Sequence, residues 1–369
     1  MEYRKLPHGE ERISVLGLGA GSLGESSPEE IEAVYRKAIE NGIDFFDLCG
    51  GNSAVFESFG KAIKGHRKDV FFQLHFGAVY DKEGNYGWSR DLAEIKRTYA
   101  WEMETMGVED IDFGFLHCID DEKDLDAIKN DGILDFVLDL KRKGIVRHLG
   151  FSSHTPEIAN KLLDIGGMDL MMFSINPAFD FERAGKDDYG FGKRSEREEL
   201  FLRCQREGIG ISVMKPFNGG RLLSASTSPF KTALTKEQCL SYVLDRPGVL
   251  LALPGVRNLS DLDEILHFEK ATKEEKDYSA FGKGAPKDLL GNCVYCDHCL
   301  PCPAGLDIGL INKYYDLALA GDAIAAKHYD KLTKKADLCL SCGHCDRRCP
   351  FSAKPTERMK EIADYFRKR

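Results

Sequence analysis

The chain has 369 residues, 51 Lys+Arg against 60 Asp+Glu, a net charge of −9, and is 43% hydrophobic. That apolar fraction excludes a disordered or fibrous chain, and the acidic balance excludes a general nucleic-acid binder, which needs a basic face to neutralise phosphates. No apolar run approaches the ~20 residues of a membrane span, and Met1-Glu2-Tyr3-Arg4-Lys5 has no apolar stretch of the secretory type behind it, so a cytoplasmic protein is expected.

Short, nearly continuous apolar runs recur along the first 270 residues: Val15–Gly19, Asp44–Leu48, Val70–His75, Asp112–His117, His148–Phe151, Met171–Ile175, Gly210–Met214 and Leu250–Pro254. Such runs suit parallel strands covered on both faces. A helical pattern follows each one. In the first, Ser27 caps, Pro28 takes the first helical position and Glu30 closes a capping box. Ile31, Val34, Tyr35, Ala38 and Ile39 then form one apolar stripe before Asn41-Gly42 ends it. Ser195-x-x-Glu198 and Thr235-x-x-Gln238 open later helices in the same way. Eight strand–helix units in this length predict an α/β protein with a (β/α)8 TIM barrel, for which ~250 residues is typical. The competing layout is an open doubly wound sheet, suggested by Gly19-Ala-Gly21-Ser-Leu-Gly24 with Asp44 and Asp47 downstream. In that layout the third glycine lies inside a helix. Here Ser26-Ser27-Pro28 starts the helix after the glycines, so they are expected to serve a turn.

A linker, Phe281-Gly-Lys-Gly-Ala-Pro286, follows. The expected division is a barrel over residues 1–280 and a small, largely helical ferredoxin-like domain over 281–369. Residues 281–369 carry 15 Lys+Arg and 11 Asp+Glu, a net +4 that leaves −13 on the rest. Between the cysteine runs, residues 307–332 read as helices, with Ile308, Ile311, Tyr314, Tyr315 and Leu319 on one face.

Eight of the 12 cysteines lie between Cys293 and Cys349. Clustered cysteines without a secretory leader point to a metal site in a reducing compartment rather than a disulfide framework. The first run is Cys293-x2-Cys296-x2-Cys299-x2-Cys302-Pro303, and the second is Cys339-x2-Cys342-x2-Cys345-x3-Cys349-Pro350. Structural zinc usually takes two Cys-x-x-Cys pairs across a longer loop. Three thiolates at three-residue steps, twice, each run ending in Cys-Pro, suit iron–sulfur cubes better. The fourth cysteine of such a run ligates the other cluster. This assigns Cys293, Cys296, Cys299 and Cys349 to one [4Fe–4S] cluster, and Cys339, Cys342, Cys345 and Cys302 to the other. The two-residue gap before Cys302 departs from the usual three. The segment resembles a bacterial two-cluster ferredoxin, a relay for single electrons.

Barrel chemistry sits at the C-terminal ends of the strands. Those ends offer Asp47 and Cys49, His75, His117 and Cys118, Ser152, Ser153 and His154, Asn176, Met214 and Lys215, then Gly255 and Arg257. Histidines at the ends of strands three, four and five beside an aspartate make a candidate catalytic group of Asp47, His75 and His117.

Residues 2–270 resemble the aldo/keto reductase family. The likeness is carried by Tyr3-Arg-Lys-Leu6, Gly42-Ile-Asp-Phe-Phe-Asp47, Asp112-Phe-Gly-Phe-Leu-His117, Gly150-Phe-Ser-Ser-His154, Met214-Lys-Pro-Phe-Asn-Gly-Gly-Arg-Leu222 and Leu253-Pro-Gly-Val-Arg257. With the cysteine tail, the chain is similar to the iron–sulfur branch of that family. The resemblance implies NADP(H) and an Asp, Tyr, Lys, His tetrad. Asp47 and His117 match two of its members. The other two depart: Leu48-Cys-Gly-Gly-Asn-Ser53 holds no tyrosine, and Val70-Phe-Phe-Gln-Leu-His75 puts His75 in the lysine's place. The resemblance also implies cofactor contacts at Ser152, Ser153, Asn176, Met214, Lys215, Gly255 and Arg257.

The missing phenol has to be replaced, and His117, His75, Tyr80 or Tyr86 are the candidates. Nicotinamide moves two electrons together and clusters move one, so a flavin converter is a third possible cofactor. The expected function is an iron–sulfur oxidoreductase passing electrons between a ferredoxin-like or flavodoxin-like partner, or NADPH, and a small organic substrate in the barrel mouth. The rival expectations are an NADPH-dependent carbonyl reductase with a structural cluster domain, a non-catalytic redox carrier or sensor, and a metal ion held by Asp47, His75, His117 and His154.

Overall fold

The computed structural model describes the chain apart from residues 82–83, 182–189, 280–290, 292, 294, 296–298, 320–322, 350 and 369. The expected ligand Cys296 and the expected linker 281–286 therefore lie outside the described residues. The chain divides into two compact units. The first is Met1–Pro229 with Thr235–Lys276, and the second is Phe230–Leu234 with Asp277–Arg369.

The first unit is built on eight parallel strands: β1 (Leu18–Gly19), β2 (Phe45–Leu48), β3 (Phe71–Phe76), β4 (Ile111–Leu116), β5 (Val146–Ser153), β6 (Leu170–Ser174), β7 (Gly210–Met214) and β8 (Val249–Ala252). They pair in chain order. Typical registers are Asp47↔Gln73 between β2 and β3, and His75↔Phe115 between β3 and β4. Parallel bridges Leu16↔Ala252 and Gly19↔Gly255 join the last strand to the first. The bonds Gly17 N–H to Ala252 O, 2.8 Å, and Ala252 N–H to Val15 O, 2.9 Å, seal the same seam. The sheet is thus the expected (β/α)8 barrel. Closure also explains why β1 is only two residues long, since the residues before it, Val15 and Gly17, bond to Ala252 across the seam with Leu16 opposite it.

An antiparallel hairpin of Tyr3–Lys5 and Arg12–Ser14 precedes the barrel. Its Leu6 and Ile13 pack with Phe45, Phe113, Leu170 and Leu250 near the strand starts. That end is filled with apolar side chains, so polar chemistry is left to the opposite end.

Local rules account for the helices. Ser27 Oγ accepts the Glu30 N–H at 3.3 Å and Pro28 starts the helix Pro28–Glu40. Thr235 and Gln238 form both halves of their capping box, at 3.1 and 3.0 Å. The helix expected to open at Ser195 instead covers Arg194–Glu207, because Glu196, not Glu198, accepts the cap N–H, that of Lys193, at 2.7 Å. The motif Gly19–Gly24 forms a 3-10 turn, Ala20–Glu25, ahead of the helix. A Cβ on Gly24 would lie 2.7 Å from the Gly51 Cα and 2.9 Å from the Asn52 N. The glycine permits backbone against backbone next to β2, and the open-sheet layout is excluded.

The second unit contains helices Ile308–Leu319, Ala323–Asp330 and Pro355–Arg367 with shorter turns. Its core joins Leu306, Ile308, Ile311, Tyr329, Met359 and Ile362 to the cysteines Cys299 and Cys345. Ile308 and Ile311 take the expected inner face. Leu319 does not: it is 57% exposed, at the last turn of its helix.

Candidate active site and cluster pocket

Side chains two apart on a strand share a face. Gln73 and His75 therefore point together from β3, and the register sets Gln73 beside Asp47 of β2. Asp47, Gln73, His75 and His117 are all buried. After β3 the chain makes a second hairpin, Ala78–Tyr80 with Tyr86–Trp88, in the register Tyr80↔Tyr86. Tyr80 OH donates to Gly50 O at 3.3 Å and Asn52 bridges Asn85, which pins this hairpin to the loop after β2.

The result is a continuous polar file. His75 Nε2 lies 2.9 Å from Asp47 Oδ1, His75 Nδ1 lies 3.1 Å from His117 Nδ1, and the Tyr86 hydroxyl lies 2.7 Å from His117 Nε2. Gln73 Nε2 donates to the same Asp47 oxygen at 2.8 Å. An ionised carboxylate only accepts, so the protons are assigned by propagation from Asp47. With His75 donating from Nε2 to Asp47, His117 carries a proton on Nδ1 for His75 and Tyr86 donates to His117 Nε2; Gln73 Nε2, 3.0 Å from His75 Nε2, then turns its hydrogen to Asp47.

The electrostatics favour the neutral forms of His117, Tyr86 and Cys49. Burial, with the nearby His75 and Arg90, holds His117 well below the usual imidazole range. Burial and the neighbouring Cys49 push the Tyr86 phenol up. Burial, Asp47 and Glu102 push the Cys49 thiol up as well. Cys49 Sγ sits 3.8 Å from His117 Nδ1.

His154 does not join this file. Its Nδ1 is bonded to Asp120 Oδ2 at 2.8 Å, and Ser153 Oγ donates to Asp120 Oδ1 at 3.1 Å. Burial pushes Asp120 upward, but the hydrogen bonds from His154 outweigh it and hold the carboxyl below its usual range. Cys118 Sγ donates to Asp120 Oδ2 at 3.6 Å, and burial with that carboxylate raises the thiol to about 12.

The remaining strand-end residues are placed as follows. Ser152 Oγ accepts the Cys118 N–H at 2.7 Å, which leaves the hydroxyl hydrogen available. Asn176 is fully buried, accepting from Phe179 N at 3.1 Å and donating to Lys215 O at 3.0 Å. Both ends of its amide therefore serve the fold. Lys215 has a left-handed backbone, with φ 58°. Met214 ends β7 and packs against the barrel core. Gly255 sits in the barrel seam opposite Gly19. Arg257 is 65% exposed, paired with Asp261 at 2.7 Å, at the start of the helix Leu259–Leu266.

In the second unit Cys299, Cys302, Cys339, Cys342 and Cys345 line one pocket with Pro303, Leu306, Ile308 and His344. Five sulfurs around one space is a donor set suited to an iron–sulfur cluster. Gly291 N–H donates to Phe351 O at 2.8 Å, tying the segment ahead of Cys293 to the segment after Cys349. Ala353 N–H donates to Cys349 Sγ at 3.3 Å.

The closed barrel and the cysteine-lined pocket agree with the comparisons. Residues 15–237 match the model of the aldo/keto reductase family. The chain belongs to the aldo/keto reductase family. Residues 289–353 match the model of a 4Fe-4S dicluster domain, so this aldo/keto reductase is an oxidoreductase with an iron–sulfur domain at its C-terminal end. It is 22% identical over 312 residues to the uncharacterized oxidoreductase YqkF of Bacillus subtilis, covering 78% of this chain and 98% of that one. Among solved structures it resembles the aldo-keto reductase AKR11C1 of Bacillus halodurans, with 22% identity and TM-score 0.61 over 78% of this chain and 97% of that one. It also resembles an aldo/keto reductase of Klebsiella pneumoniae in complex with NADP and acetate, with 19% identity and TM-score 0.52 over 72% and 90%.

Sequence reasoning missed Gln73 and Asp120 in this site. Gln73 was findable, since it stands two residues before His75 on the same strand face. Asp120 follows β4 in a loop, and nothing local marks it as the partner of His154.

Proposed function

We propose that this aldo/keto reductase interconverts a small carbonyl compound and its alcohol at the barrel mouth, with Tyr86 as the phenol that the loop after β2 lacks. The observation that carries this is the 2.7 Å contact between Tyr86 OH and His117 Nε2. It sets a phenol beside the histidine at the end of β4, although the phenol comes from a different element. NADP(H), the cofactor of the family, supplies or accepts the hydride at the substrate carbon when bound. Arg257, exposed at a helix N-terminus, suits its phosphate, and the Ser152 hydroxyl suits its amide.

In the oxidation direction, Tyr86 takes the substrate hydroxyl proton as its own proton moves to His117 Nε2. His117 Nδ1–H passes to His75 Nδ1, and His75 Nε2–H moves towards Asp47. Reduction runs the same file in reverse, delivering a proton to the oxygen that receives the carbonyl electron pair. General acid–base help of this kind contributes about 10²–10⁴-fold.

The C-terminal unit holds two [4Fe–4S] clusters in this proposal, ligated by Cys293, Cys296, Cys299 and Cys349 and by Cys339, Cys342, Cys345 and Cys302. They exchange single electrons with a ferredoxin- or flavodoxin-type carrier. Coupling them to a nicotinamide requires a two-to-one-electron converter such as a flavin. The test is anaerobic turnover of Tyr86→Phe with NADP(H) and simple aldehydes or alcohols, beside iron analysis and the visible spectrum. The expected results are a kcat loss of about 10²–10⁴ and about eight irons per chain. Unchanged turnover in Tyr86→Phe overturns the assignment of the phenol, and resolved flavin bands identify the converter.

A further inference from the structure

Two imidazole nitrogens meeting head to head beside a thiol is a metal-ligand arrangement as well as a proton path. His75 Nδ1 and His117 Nδ1 are 3.1 Å apart, Cys49 Sγ is 3.8 Å from His117 Nδ1, and each of the three residues offers a donor atom within 4.8 Å of the others. Around a tetrahedral zinc ion, with Zn–N of 2.0–2.1 Å and Zn–S of 2.3 Å, two nitrogens stand about 3.3 Å apart and a nitrogen and a sulfur about 3.6 Å. The nitrogen–nitrogen pair and the His117–Cys49 pair each lie within about 0.2 Å of these separations. The far nitrogens are already held: Asp47 accepts from His75 Nε2, and Tyr86 lies on His117 Nε2. A carboxylate behind a ligating histidine is the usual outer shell of such sites.

We propose that Cys49, His75 and His117 form a three-ligand site for one borderline transition-metal ion, with Zn²⁺ as the probe ion and the fourth position open to the barrel mouth. The proposal uses the same two imidazoles as the proton file, so proton path and metal ion are alternative occupants of the space between them. Binding releases one proton, that of the Cys49 thiol. Each imidazole keeps one, and the His117 proton moves from Nδ1 to Nε2. His117 then donates to the Tyr86 oxygen, and the phenol's own proton is turned away from the file. The site differs from the four-residue set expected from sequence. Asp47 moves to the outer shell, Cys49 enters, and His154 is committed to Asp120. The neighbouring group of Cys118, Asp120 and His154 also places three donor atoms within 4.8 Å. There Asp120 is already satisfied by the His154 ring and backbone and by Ser153, so that group is a closed hydrogen-bond network.

The test uses cluster-replete, anaerobically purified full-length protein given one equivalent of Zn²⁺. Zinc K-edge absorption is unaffected by iron. The expected result is one Zn per chain with one sulfur at about 2.3 Å and nitrogen or oxygen at about 2.0–2.1 Å. Calorimetry in two buffers should show about one proton released. Cys49→Ser should remove the sulfur shell, and Asp47→Asn should weaken binding about 10–100-fold while keeping that shell. An all-sulfur zinc environment, a spectrum unchanged by Cys49→Ser, or no retained zinc overturns the site. Tyr86→Phe separates this inference from the proposed function. Full turnover in that variant with a normal zinc signature would leave the metal site standing and the assignment of the phenol refuted.

Discussion

In the barrel unit the interior is closed by carbon: Leu6, Ile13, Phe45, Phe113, Phe115 and Leu251 interlock inside the strands. In the C-terminal unit Cys299 and Cys345 stand among the core residues beside Ile308, Ile311 and Met359. A barrel of this size buries enough apolar surface to be stable without a cofactor. The smaller unit, which matches a 4Fe-4S dicluster domain, has cysteine sulfurs in its core, and the folding of such a unit is expected to be coupled to the metal it holds. The polar interior of the barrel mouth is of another kind, a file in which Asp47, His75, His117 and Tyr86 bond to one another while Gln73 Oε1 stays buried without a partner.

The largest contrast should follow cluster removal from the full chain by oxidant and chelator. The expected outcome is loss of amide-exchange protection over residues 299–362 while the barrel strands keep theirs. Uniform loss in both units would show that the barrel is not autonomous. Next in size is the chemistry. His117→Asn should lower kcat by about 10²–10⁴ with iron content unchanged, as read by steady-state kinetics and iron analysis on one preparation. For the carbon interior, Phe113→Ala removes a fully buried ring and should destabilise the barrel by about 3–5 kcal/mol in a denaturant titration that leaves the cluster spectrum in place. The smallest effect concerns pH. Burial lowers the His148 pKa, but its hydrogen bonds to Asp169 and Glu11 outweigh burial and raise it above the usual imidazole value. Its contribution is full below an unfolded pKa of about 6.5 and is lost as pH rises through the higher folded value. The barrel transition should fall in temperature across that alkaline-going window, and His148→Asn should flatten the slope.

Much of the barrel was legible because each strand is a short, doubly covered apolar run, and seven of the eight match the predicted runs to within about two residues. The first was partly hidden, because Val15 and Leu16 take their partners from β8 across the seam. Asp47, His75 and His117 were legible because strand ends are where such a fold exposes polar groups. Tyr86 could be named only as a candidate, since its position depends on how the hairpin after β3 folds back over the loop after β2. Asn176 was placed at a strand end correctly, and the backbone bonds that both ends of its amide also make are of a kind no spacing rule reveals. Leu319 shows the same limit at a helix end, where the apolar periodicity outlasts the packing that uses it. In the tail the cysteine spacing pointed to clusters, while the burial of Cys299 and Cys345 as core residues depended on the tertiary fold.

The hairpin of Ala78–Tyr80 and Tyr86–Trp88 carries a consequence of its own. In the proposed reaction the proton donor, Tyr86, rides on an excursion from the scaffold, tethered through Gly50 and Asn52 rather than woven into the wall. Such a part is exchangeable: grafting different hairpins at the same junction would retune acidity and substrate fit independently, leaving eight strands and their histidines as a fixed socket.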